Sequence, residues 1–351
     1  MNEFFPGVGV IVSLELRQRV RGRAWYVLLG VFFALIALVT ALMSIALGGG
    51  RANAASGGAI FSTIIYFVLL LGTLVAPALG GNAINGDRDA GTLATTQVTL
   101  ITTGQIVIGK FLAAWITALA FLAASVPFLL YSALLGGLSG AAIMVSILVL
   151  AAELGMISAI GVGLSGLLNR PLFSIVATYL AVAALSIGTL IAFALGGLVM
   201  QSDQTSTTST PVSIDNQGNA TGCTPGDKQV TTVPRFDSFW GVLATNPYVL
   251  LADAVPTNFD SAGNVTDLFG TIKMTERSAQ IPPKATVNYD VCAGTPSAEA
   301  SPSAQKVIES TVPSWAVGLL IQLILAGAAL TGAFARTKTP AGRLSRGSRI
   351  A

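Results

Sequence analysis

Six apolar runs, each long enough to cross a bilayer, constrain this chain more than any other feature. They cover residues 25–47, 60–79, 111–135, 141–168, 172–200 and 315–335. A membrane helix needs roughly 20 apolar residues, and within lipid only helices and closed barrels satisfy their own backbone polar groups. The expected fold class is therefore an all-α polytopic membrane protein with six transmembrane helices. Charged residues are 10% of the chain, against ~25% in ordinary soluble domains. Pro77 and Pro127 fall inside the second and third runs, where neighbouring helices tolerate a kink. The first run follows several arginines and precedes Ala52-Asn53-Ala54, as a secretion signal would. Its apolar core is 23 residues, whereas a signal peptide carries ~7–15, so an uncleaved anchor is expected.

Basic residues set the orientation. Segments 1–24, 80–110, 169–171 and 336–351 hold 12 Lys and Arg, and the short opposite loops hold only Arg51. The positive-inside rule places both termini and the 85–109 loop in the cytoplasm, and residues 201–313 on the outer face of the plasma membrane. The chain thus divides into three parts: 1–200 with a surface helix and five spans, 201–313 as an extracytoplasmic domain, and 314–351 with span six and a basic tail.

Residues 10–23 read as an amphipathic helix along the cytoplasmic face, with Ile11 and Leu14 toward lipid and Glu15 and Arg19 as an i,i+4 pair. Arg17, Arg19, Arg21 and Arg23 serve either that helix or topology alone. In the outer segment, 201–234 is rich in Thr and Ser and reads as a tether, as does 293–305. Residues 236–254 predict a helical element at the outer interface, and 286–291 a short strand. Cys223 and Cys292 are expected to pair, because disulfides persist outside the cell and small outer domains need such staples; two thiols are the alternative. Asn219-Ala220-Thr221 and Asn264-Val265-Thr266 match glycosylation sequons. The tail, with Arg336, Lys338, Arg343, Arg346 and Arg349, is placed to lie on anionic lipid.

The chain contains no histidine, which removes Ser-His and Cys-His catalysis and histidine metal sites. Gly104 to Lys110 fits the first seven positions of a phosphate-binding loop, but Phe111 stands where a Ser or Thr should reach magnesium. Lys110 is expected to snorkel at the boundary instead. Asp87-Arg88-Asp89 has the spacing of metal-binding carboxylates in glycosyltransferases, without a supporting catalytic domain. Gly163-Leu164-Ser165 resembles an intramembrane protease nucleophile, without a base to activate it. Glu153 is the one formal charge inside the apolar runs. It must face the bundle interior or be protonated, as a contact on a substrate path or as a structural hydrogen bond to Gln322. Gly155, Gly161, Gly163 and Gly166 on the same span permit close helix or subunit packing.

The loop between spans two and three carries the specific signal. Asp87-Arg88-Asp89, then Gly91-Thr92-Leu93, then Gly109-Lys110 opening span three, resembles the membrane subunits of type-two ATP-binding-cassette (ABC) exporters. In that family the leading acid is usually glutamate, and a proline commonly stands where this chain has Val98-Thr99-Leu100. The resemblance covers the whole chain and implies a permease subunit rather than an enzyme. It implies a coupling helix set into a cleft of a separate cytoplasmic ABC ATPase, with Asp87, Arg88 and Asp89 fixing register. Gly91 would tighten a turn and Thr92 would cap the next stretch of chain, beginning at Leu93. This chain would bind no cofactor, ATP and Mg being held by the partner. It would pair with a second copy or a related permease, contact membrane lipids and bind no nucleic acid. A non-transporting anchor or assembly factor, and a secondary carrier using Glu153, are the competing readings.

Overall fold

The computed structural model describes residues 4–48, 54–93, 101–214, 220–290 and 302–338. Helix α1 (Phe4–Arg21) leads into α2 (Arg23–Gly48) and α3 (Ala54–Gly80), and a short α4 (Asn85–Asp89) comes after them. Next come α5 (Thr103–Leu135), α6 (Gly140–Leu167), α7 (Pro171–Ala183), a π-helical segment (Ala184–Gly188) and α8 (Thr189–Val199). Among the described residues, six stretches are long and apolar enough to cross a membrane, and each contains or overlaps one of the six predicted runs. The chain is a mostly helical, multi-pass membrane protein by this measure.

The helix ends explain where the apolar pattern alone fell short. α5 begins eight residues before the apolar run, because Thr102 and Gln105 form a reciprocal capping box. α6 starts where the Ser139 hydroxyl accepts from the Ala142 N–H at 3.1 Å. Pro171 opens α7, where a missing N–H costs nothing.

The core joins α2, α3, α5 and α6 through Phe32, Ile36, Phe61, Ile65, Phe121 and Leu154. α6 lies directly against α13 (Trp315–Thr337), with Gly163 facing Ala329 and Gly166 facing Ala333. A Cβ on Gly166 would sit 2.5 Å from the Ala333 Cβ, so glycine is what allows the backbones to approach. α1 packs on α5 through Val8 and Ile11, both buried. Ile11, expected to face lipid, is instead 5% exposed, because Gly109 leaves room for it on α5; Leu14 remains exposed.

Of residues 201–234, expected as a tether, 201–214 and 220–234 form two paired strands. β1 (Gln201–Ile214) pairs antiparallel with β2 (Ala220–Pro234), from Gln201 opposite Pro234 onward. β3 (Thr286–Asp290) adds in parallel to β1, giving the order β2-β1-β3 and matching the predicted strand. The Thr-rich composition that resembled a linker is also strand-forming, since β-branched side chains suit a pleated surface. The expected Cys223–Cys292 bridge lies outside the described residues: Cys292 is not among them, and only the backbone of Cys223, opposite Pro211, is.

The predicted helical element is a 3-10 turn (Phe236–Ser238), α9 (Trp240–Ala244) and α10 (Pro247–Ala254). α11 (Leu268–Ala279) and α12 (Ala304–Ser310) complete the insert, so residues 304 and 305 are helical rather than part of a second tether. These helices share the core of the spans. Leu251, Val255 and Phe269 belong to the same apolar cluster as Ile65 and Leu154. Tyr66 of α3 donates to the Tyr248 carbonyl at 3.0 Å. Asp253 accepts from Arg277 at 2.7 Å, from Ser314 at 3.1 Å and from the Trp315 N–H at 2.9 Å, tying α10 and α11 to the start of α13.

Candidate functional site

The connection from α3 to α5 is rooted in buried polar side chains. Ser165 of α6 accepts from the backbone N–H groups of Ile84 and Asn85, at 3.0 and 3.1 Å. The Asn85 amide donates to Ser174 of α7 at 3.1 Å, and Ser174 donates to the Gly81 carbonyl at 2.5 Å. Asn85, Ser165 and Ser174 are all fully buried. Each unmet bond there would cost about 1–3 kcal/mol, so the network fixes the path of residues 81–85. Ser165, which the sequence offered as a nucleophile look-alike, is occupied as a backbone acceptor.

Charge completes the attachment. Asp87 Oδ2 lies 2.7 Å from Lys110 Nζ on α5. Lys110 also pairs with Glu15 of α1 and is 3% exposed, so it does not snorkel to a boundary. Glu15 stands 3.9 Å from Arg19 as the expected i,i+4 pair. Arg19 reaches Thr117 at 3.1 Å and the Leu79 carbonyl at 3.4 Å. Burial lowers the Arg19 pKa and Glu15 opposes that shift. On the other side of α4, Arg88 donates to Asn85 Oδ1 at 2.8 Å and to the Leu168 carbonyl at 2.9 Å, beyond the end of α6. The loop is thereby bonded to α5, α6 and α7, and through Lys110 it is linked to α1.

Its tip faces outward. Asp89, Ala90, Gly91 and Thr92 are exposed, whereas Leu93 turns into a buried cluster with Ile84, Ile106 and Ala333. Gly91 has φ +71°, a left-handed conformation that tightens the turn as expected, and its N–H donates to the Arg88 carbonyl at 3.2 Å. The Thr92 hydroxyl donates back to the Asp87 carbonyl at 3.3 Å. Of the three loop charges, Asp87 and Arg88 are engaged within the chain and Asp89 is presented. Residues 104–110 lie within α5, so their backbone cannot wrap a phosphate. Among the described residues no cluster of His, Cys, Asp or Glu could hold a metal ion.

The second polar site is internal. Glu153 of α6 is 0% exposed, and neither carboxylate oxygen receives a hydrogen bond. Gln322 of α13 borders the same small void but donates to the Thr245 carbonyl at 3.1 Å. Sequence reasoning singled out both residues, yet it did not find Asn85, Ser174 or Glu15 as parts of the loop's attachment. Serine in an apolar helix was the available signal, since its hydroxyl must find a partner there.

Neither the models of known protein families nor the sequences of characterised proteins match the chain.

Proposed function

We propose that this chain is the permease subunit of an ABC exporter, driven by a separate cytoplasmic ATPase that docks on the α3–α5 loop. The observation that carries this reading is the loop's construction: an exposed tip on a root bonded to three helices and linked to a fourth through Lys110. A push on Asp89–Thr92 reaches α5 and α1 through Asp87 and Lys110, and α6 and α7 through Ser165, Arg88 and Asn85. A flexible loop would absorb that motion; a fixed one passes it on.

In this reading both termini and the loop are cytoplasmic, α1 lies along the inner face of the plasma membrane, and residues 201–313 face outward. Two copies, or one copy and a related permease, flank the path. ATP and Mg are held by the partner, and this chain contributes motion and cargo contacts rather than hydrolysis. Lipids surround the spans, and α2, α7 and α8 expose rows of large apolar side chains suited to lipid or to the second permease.

The experiment is purification of the chain with whatever associates in gently solubilised membranes, and then ATP hydrolysis assayed with and without vanadate. Wild type should bring vanadate-sensitive hydrolysis with it. Asp89→Lys combined with Thr92→Lys, changes confined to the exposed tip, should remove that activity while membrane insertion persists. Hydrolysis unaffected by the tip changes would refute the docking, and a chain that never associates with an ATPase would favour the anchor reading.

A further inference from the structure

A cavity of about 490 Å³ lies between α3, the continuous α7–α8 stretch and the insert. Its walls are apolar: Leu70 and Leu74 from α3, Val182 from α7, Ile187 from the π-helical segment, Leu190 from α8, and Ile272 from α11. Ligand pockets of drug-sized molecules run about 300–1,000 Å³ with few polar groups, and this one fits that description. Its polar groups gather toward the insert, where Thr73 and the Tyr248 hydroxyl are 3.2 Å apart.

Two wall residues, Val182 and Ser186, also border the void that holds Glu153, which is only about 10 Å³. They stand one turn apart, and the same two residues line both the cavity and the carboxylate's void. Ser186 lies in the π-helical segment, an irregularity that recurs at functional sites because it leaves the local backbone able to rearrange. The Ser186 hydroxyl makes no hydrogen bond, and its carbonyl accepts from Asn246 of the insert at 2.6 Å. The π segment is thus tied to the N-terminus of α10, which Asn246 caps.

Glu153 gives this cavity its chemistry. Its carboxyl group is fully buried, and among the described residues its oxygens accept no hydrogen bond and no Lys or Arg borders the void. A carboxyl at that depth can ionise only with a cation beside it, so a cationic group pairs with it, an anion is repelled, and a neutral group leaves it as it was. We infer that the cavity takes an amphipathic organic cation, its apolar body between α3 and the α7–α8 stretch and its charged end paired with Glu153. The charged end reaches the carboxylate past Val182 and Ser186 as the π segment shifts. The head must replace the void, so a compact ammonium suits it better than a bulky one.

That this ligand is cargo rests on the permease reading; that it binds does not. The two are therefore separable. Binding is measured on the purified full-length chain alone, in phosphatidylcholine nanodiscs, with labelled dodecylammonium displaced by unlabelled dodecyl compounds ending in ammonium, hydroxyl or sulfonate. The cationic compound should displace at least about tenfold more effectively than the alcohol, as expected for one charged contact, and the sulfonate should be weakest. Glu153→Gln should erase the cation preference and keep binding of the alcohol. Ala183→Trp, filling the cavity from its wall, should abolish binding of all three. Equal displacement by the three compounds on wild type would overturn the inference even if neither variant folds, as would Glu153→Gln retaining the preference.

Discussion

Asp87 and Lys110 form an ion pair of 2.7 Å between the loop and the third span, and Lys110 is shared with Glu15 of α1. Two carboxylates around one buried ammonium make a junction of three chain segments. Lys110→Met leaves Asp87 without its cation and Glu15 with Arg19 alone, 3.9 Å away. It should destabilise the protein by about 3–5 kcal/mol, the usual cost of breaking a buried pair by removing one partner. Asp87→Ala should cost only ~1 kcal/mol, because Asp87 is partly exposed and Glu15 still pairs Lys110. Thermal unfolding of the variants in detergent checks both. If the two lose stability equally, the junction is not shared as described.

The α6–α13 contact predicts a compensating pair. Gly166→Ala introduces a Cβ 2.5 Å from the Ala333 Cβ and should lower stability by about 1–3 kcal/mol through overpacking. Ala333→Gly in the same chain should recover part of the loss. Differential scanning fluorimetry reads this directly; full additivity of the two changes would contradict the packing.

Much of this fold was legible because lipid imposes a simple rule. A helix that must satisfy its backbone internally announces itself as an unbroken apolar run, and all six did. Lys110 was harder. Its partners Asp87 and Glu15 lie on other elements, and a Lys beside an apolar run has the same local signature whether it snorkels or is paired inside. The β1–β2 pair was missed for a different reason: Thr and Ser are common in both linkers and strands, and pairing with β3 depends on contacts some eighty residues away. Gly91 was readable because its turn is local. Glu153 was found by its charge, but its neighbours on the π segment carry no sequence signal.

Glu276 of α11 gives the insert a pH dependence. Its side chain accepts from Gln280 at 3.0 Å and stands 3.5 Å from Arg277, among Asp253 and Lys273. Burial, the largest effect, raises its pKa to about 7, with the Gln280 hydrogen bond opposing. The folded carboxyl therefore holds its proton where the unfolded one, at about 4.5, has lost it. Stability should fall as pH rises from about 4.5 to about 7 and then level off, by on the order of 3 kcal/mol in total. Glu276→Gln should flatten this segment of the curve and be the more stable protein at pH 8. Unfolding midpoints across that range decide it; an unchanged slope in the variant would assign the effect elsewhere.

The central claim is that energy enters through Asp89–Thr92 from another polypeptide. A photo-crosslinking amino acid at Thr92, activated in native membranes with the adduct identified by mass spectrometry, tests it most directly. The account predicts a covalent partner whose sequence carries nucleotide-binding motifs, with the yield reduced by Asp89→Lys. Adducts confined to lipid or to this chain itself, at a yield indifferent to Asp89, would contradict it.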